Sequence, residues 1–196
     1  FAIDLSWKSS QIEGNTYTLL QTESLFKEGK HTKGNTKAEA VMLLNHQAAL
    51  DYVLNKPDYF RELTVQKILE IHRFLPNKIR AGRVGITGTN YKPLAKANQI
   101  QKALQDLCDL INSKRNVLEK AFIALLLIAY IQPFEDGNKR TARIICNALL
   151  LPNKYCPISF RTVEPEDYRY ATLLFYEQNS IPSFKKIFME QLEFST

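Results

Sequence analysis

The sequence predicts an all-α domain carrying one short β-hairpin, and three observations carry that prediction. Apolar residues recur at spacings of three and four along most of the 196 residues. Residues that favour extended chain gather in one stretch, Gly82 to Pro93, where Gly82, Gly85 and Gly88 punctuate Val84, Ile86, Thr87 and Thr89. No repeat, low-complexity tract or Pro/Gly/Ser linker divides the chain, so residues 1–196 read as a single domain.

The elements follow in order. Ser10 and Glu13 have capping-box spacing, yet Gly14-Asn15 suits the end of a short helix better than its beginning. Between Thr36 and Leu54 the stripe Ala38, Val41, Met42, Ala49, Tyr52 and Val53 predicts a helix, with Asn45 on the same face. Thr64 is set to cap a helix that buries Val65, Ile68, Leu69 and Leu75, with His72 on that face as a hydrogen-bonded core residue. Further helices are expected at about 97–112, 117–131, 138–151, 166–178 and 183–194, with Pro165 in the first turn of the penultimate one. In the 138–151 helix, Arg140, Arg143 and Asn147 form a polar face, while Ile144, Ile145, Ala148 and Leu149 face the core.

Composition narrows the function. Hydrophobic residues at 45% and charged residues at 23% suit a folded globular chain rather than a disordered one. The longest apolar run, Ala121 to Ile131, is too short to span a bilayer, so no membrane role is expected. No basic-then-apolar leader opens the sequence, and Cys108, Cys146 and Cys156 lack metal or disulfide spacing, so a cytoplasmic protein with reduced thiols is expected. The +6 charge suits a polyanionic partner, a nucleotide or a nucleic acid. Its basic residues are scattered, apart from Lys27, Lys30, Lys33 and Lys37, which read as solvated surface, so nucleic acid is not the favoured partner.

The most informative segment runs from Gln132 to Arg143, Gln-Pro-Phe-Glu-Asp-Gly-Asn-Lys-Arg-Thr-Ala-Arg. An apolar helix ends before Pro133 and another begins near Asn138. The loop between them therefore offers free N–H groups at a helix N-terminus, where an anion is favoured. Gly137 permits close backbone approach, Arg140 and Arg143 share a face, and Asp136 offers one hard oxygen ligand suited to Mg²⁺ shared with phosphates.

This segment resembles the signature of the Fic family, His-Pro-Phe-x-Asp/Glu-Gly-Asn-Gly/Lys-Arg-x-x-Arg, at eleven of its twelve positions. The resemblance implies a Fic-type helical bundle, best matched over residues 60–150, with 151–196 as C-terminal helices. It implies transfer of AMP from MgATP to a hydroxyl of a target protein that the sequence does not identify. By that resemblance Asp136 holds Mg²⁺, Gly137, Asn138 and Lys139 line the anion nest, Arg140 and Arg143 bind the outer phosphates, and Phe134 anchors the loop in the core. The departure is Gln132, which stands where the family has its general-base His. A carboxamide positions but accepts no proton, and losing a general base costs a factor of about 10²–10⁴. Lys139 matches a Doc-like phosphotransferase branch, whereas Gly137 and Arg143 favour AMP transfer. A non-catalytic nucleotide-binding regulatory module is the other alternative.

Ser9, Glu13 and Gly14 are similar to the family's inhibitory motif, which implies that residues 1–16 place Glu13 against Arg143 at the γ-phosphate position. The Arg83–Pro93 hairpin resembles the family's target-docking flap, with Ile86, Thr87 and Gly88 at its edge. Tyr168 and Tyr170 are candidates for a wall of the adenine pocket. A homo-oligomer is compatible with the sequence.

Overall fold

The computed structural model describes residues 1–32, 34–75 and 79–195, so Lys33 of the basic group lies outside the described residues. Nine α-helices follow one another among these residues: α1 (Ala2–Ile12), α2 (Leu19–Glu28), α3 (Lys37–Leu54), α4 (Val65–His72), α5 (Ala97–Ser113), α6 (Val117–Ile131), α7 (Asn138–Leu150), α8 (Pro165–Gln178) and α9 (Pro182–Ser195). Thr64 caps α4 by accepting from Lys67 N at 3.3 Å, as its position predicts. α2 was not expected, although Thr18 and Gln21 form the reciprocal capping box that announces it.

α6 and α7 form the most extensive helix pair, and α1, α3 and α4 also pack on α7. The central position of α7 corrects the expected polar face. All but one residue of α7 is buried, including Arg140 and Arg143, because α1 covers the side that an isolated amphipathic helix would turn to water. Asn147 belongs to the core instead of that face: it accepts from Ile158 N at 2.7 Å and donates to Ile158 O at 3.0 Å. In α3 the buried face is Ala40, Leu43, His46, Ala49, Leu50 and Val53, rotated from the expected stripe, and Val41 is exposed. Small apolar residues on both sides of α3 made the stripe ambiguous, and packing on α1 and α7 decides it.

The expected hairpin forms no ladder. Gly82 to Pro93 is extended chain with a turn at Thr87–Gly88, and the structure has no sheet among the described residues. Two strands alone gain too few contacts to persist, so the segment is held by side chains instead. Asn90 N and the Thr89 hydroxyl both donate to Glu177 of α8, the former at 2.6 Å, and Tyr91 donates to Tyr130 O at 3.0 Å. One isolated antiparallel bridge joins Ile79 to Phe134. No helix among the described residues is long and apolar enough to cross a membrane.

Candidate active site

Gln132, Glu135, Asp136 and Gly137 of the loop, with Asn138 and Lys139 of α7, line a cleft of about 570 Å³, opposite the end of α1 and beside the 85–87 segment, and Arg140 and Arg143 lie behind this lining. Its chemistry starts with Gly137, whose φ of 77° is left-handed and which precedes α7 without any side-chain cap. The N–H groups of Asn138, Lys139 and Arg140 therefore have no intrahelical acceptor. They sit at the positive end of the helix, in the manner of an anion nest.

Short-range bonds fix the loop. Asn138 accepts from Phe134 N at 2.9 Å and donates to both Phe134 O and Gln132 Oε1 at 2.9 Å. Its side chain is thus consumed inside the loop, and only its backbone faces an anion. Phe134 is fully buried and stacks on His72, with centroids 3.4 Å apart and planes 6° from parallel. His72 also pairs with Thr141 Oγ1 at 3.0 Å and lies beneath Gly137. Burial first, and then the nearby Arg140 charge, hold His72 down at about 4 against a partial pull upward from Asp136. It is neutral at pH 7.

Gln132 caps α6 in a left-handed conformation, φ 51°. Its amide donates to Ala129 O at 2.5 Å, and its Oε1 accepts from Asn138. The Tyr176 hydroxyl, itself bonded to Ala129 O at 2.6 Å, lies 3.4 Å from Gln132 Nε2. No histidine lines the cleft. His46 and His72 are buried, and His31 is not among the residues lining the cleft. Burial, then Arg143 and Arg140, drive His46 well below its ordinary value.

The two arginines differ. Arg140 donates to Asp136 at 2.6 Å, leaving its buried Nε without a partner among the described residues. Arg143 is fully buried, bonded through Nε and Nη2 to Ser9 at 2.8 Å, and paired through Nη2 with Glu13 at 2.9 Å. Its Nη1 has no hydrogen-bond partner among the described residues. Lys139 reaches the other Glu13 oxygen at 3.6 Å. Burial pushes the Glu13 carboxyl up, but Arg143, Lys139 and Arg140 together outweigh it, so Glu13 titrates below the ordinary range. Ser10 lies inside α1, not at an N-cap, and Glu13 is its C-cap, so the capping-box geometry is absent. Asp136 is largely exposed, and no cluster of three or more His, Cys, Asp or Glu residues that could cage a metal exists among the described residues. That donor set fits Mg²⁺ only when phosphate oxygens and water complete its shell.

Ile86 and Thr87 line the cleft, whereas Gly88 turns toward Leu173 of α8. Tyr168 and Tyr170 do not wall it. Tyr168 is buried under the Arg143 guanidinium, 5.3 Å from its ring centre, and Tyr170 is exposed; Pro165, Glu166 and Arg169 take that edge. Sequence reasoning missed Tyr176 and Arg80, whose bonds to Gln132 span 44 and 52 residues and leave no spacing signal.

Residues 62–150 match the Fic/DOC family. The chain is 31% identical to the protein adenylyltransferase Fic of Nematostella vectensis over 83% of its own length and 40% of that protein. It is 28% identical to protein adenylyltransferase fic-1 of Caenorhabditis elegans, again over 83% of itself and 34% of the relative. It therefore spans well under half the length of these curated relatives. Among solved structures, a fragment of C. elegans Fic-1 superposes with a TM-score of 0.82 at 24% identity, covering 99% of this chain and 60% of that one. A Fic family protein from Desulfovibrio desulfuricans G20 superposes with a TM-score of 0.83 at 24% identity, covering 99% and 62%. These likenesses establish the fold.

Proposed function

Residues 62–150 make this chain a member of the Fic/DOC family, and we propose that its cleft is a site for AMP transfer from ATP to a hydroxyl of a target protein. In this reading Gln132 blunts proton removal and Glu13 restrains the site. Residues 1–196 act as one unit, with 1–16 inhibitory, 60–150 the core and 151–196 the closing helices. The observation that carries the reading is the pairing of Glu13 with the fully buried Arg143 at 2.9 Å, beside an uncapped helix N-terminus. A carboxylate held there occupies the charge-assisted donors that a phosphate would use.

In the transfer, the target hydroxyl oxygen bonds to the α-phosphorus as the bond to pyrophosphate breaks, and the hydroxyl proton passes to solvent water. The α7 amides and Arg140 bind the phosphate oxygens, and Ile86 and Thr87 offer an edge to an extended target segment. Asp136 is the residue that would hold Mg²⁺, which when bound neutralises phosphate charge. Gln132 orients the hydroxyl but takes no proton, since its amide lacks a basic site near neutral pH. A second reading, a nucleotide-binding module without turnover, is favoured by the way Gln132 is bonded at both ends of its amide. Phosphate transfer is the weaker alternative: Lys139, its marker, is engaged with Glu13.

Two experiments test this. Arg140→Ala should weaken MgATP binding by roughly 1.5–3 kcal/mol in calorimetry, the worth of a charge-assisted contact; unchanged affinity would refute the site. Gln132→His should raise protein labelling by about 10²-fold or more, and Glu13→Gly should raise it further in that background. Mass spectrometry separates AMP from phosphate addition. A Gln132→His chain that binds ATP but labels nothing favours the binding module.

A further inference from the structure

Arg80 and Arg143 are among the largest fully buried side chains among the described residues, and only Arg143 has a carboxylate partner. Arg80 forms no ion pair among the described residues. Its Nε donates to Gln132 O at 2.6 Å, its Nη1 donates to Gly82 O at 2.6 Å, and its Nη2 has no partner among the described residues. A buried cation without a counter-ion is costly, and a methionine or leucine would fill the same space without that penalty. The guanidinium must therefore do something an apolar side chain cannot. What it does is visible in its two acceptors. One is the carbonyl of the left-handed residue at the signature turn, and the other is the carbonyl at the root of the 82–93 segment. The Arg80 backbone N–H adds a bond to Pro133 O at 3.1 Å, and Ile79 bridges Phe134.

We propose that Arg80 is a positioning residue: its planar fork sets the flap segment in register with residue 132. It acts through those two carbonyls, and it is not among the residues lining the cleft. The proposal rests on the reading of the cleft as a protein-modifying site, because only then must the segment that presents a target hydroxyl be held at a fixed distance from the residue that receives it. Lysine cannot substitute, because a single ammonium does not hold two diverging donors in one fixed plane, as Nε and Nη1 are held toward the two carbonyls.

Hydrogen exchange on the intact chain gives a readout independent of activity. Arg80→Lys should speed exchange about tenfold in residues 82–93 and 132–134, leave α5 and α7 amides protected, and keep MgATP affinity within about twofold. In the Gln132→His background the same substitution should lower kcat for target labelling about tenfold or more with KM for ATP unchanged, the signature of misplacement rather than lost binding. Unchanged exchange at 82–93 overturns the proposal. Exchange that rises throughout the chain, with ATP affinity falling alike, also overturns it, by making Arg80 a general core residue. Arg80→Met should raise exchange in the same two stretches; should it fail to fold, Arg80→Lys still decides, since it keeps both charge and bulk. If Gln132→His labels no protein, the transferase reading fails, and the exchange result still decides the role of Arg80.

Discussion

The α7 cradle and the 82–93 segment wall the same cleft and are built in opposite ways. The cradle is saturated with bonds among residues close in sequence, namely Gln132 with Asn138, Phe134 with Asn138 and Asp136 with Arg140, and it rests on a buried stack of Phe134 and His72. The 82–93 segment has no ladder and is held mainly by distant side chains, Glu177 of α8 and Tyr130 of α6, with the neighbouring Arg80 on the Gly82 carbonyl. A nucleotide needs its donors fixed before it arrives, whereas a segment that accepts a partner strand must keep unpaired backbone. Under the proposed function, rigidity is concentrated where a phosphate would bind and openness where a second chain would add.

The sharpest way to break this contrast is Phe134→Ala. Deleting a fully buried ring should cost about 3–5 kcal/mol. Because His72 and Gly137 lose their packing with it, MgATP binding should disappear even where the chain remains folded. Melting curves with calorimetry check both, and a folded variant that binds normally would show that the cradle does not depend on its floor.

Acid sharpens the contrast next. His72 is held down at about 4, so the folded chain favours its neutral form. Stability from this group is complete above the unfolded value near 6.5 and is lost as pH falls toward 4. Between pH 7 and pH 5 the loss should be about 2 kcal/mol. His72→Phe keeps a flat ring on Phe134 and should remove that share of the slope in denaturant titrations, while the buried His46 sustains the remainder.

The smallest global effect is expected at the other wall. Glu177→Ala removes the acceptor shared by Thr89 and Asn90. Cleavage within 82–93 by a protease should become several-fold faster while the melting temperature barely moves. A large fall in melting temperature would mean that this segment supports the bundle and is not merely attached to it.

The two walls were also unequally legible in the sequence. The helices from α3 to α9 could be read from periodicity and caps such as Thr64. α2 was missed despite its Thr18–Gln21 box, because ten residues with few buried positions give a weak stripe. The glycines of 82–93 marked an extended turn correctly, but composition cannot say whether two extended pieces pair. Burial of Arg140 and Arg143 was hidden because an arginine-bearing face reads as solvent-facing until another helix is known to cover it.

What the sequence by itself determined is the cradle: Gly137 where φ must be positive, Asn138 six residues after Gln132, and Asp136 four before Arg140. Those contacts are made within two turns of chain, so spacing alone brings the partners together. Glu13 with Arg143, 130 residues apart, was anticipated by resemblance to a known motif, but the bond itself exists only because α1 packs on α7. The grip of Arg80 on Gln132 and of Glu177 on Thr89 was decided by tertiary structure alone. Such pairs span 52 to 88 residues. Closing loops of that length is unfavourable without the surrounding core, so packing, and not local pattern, selects which of the many polar residues meet.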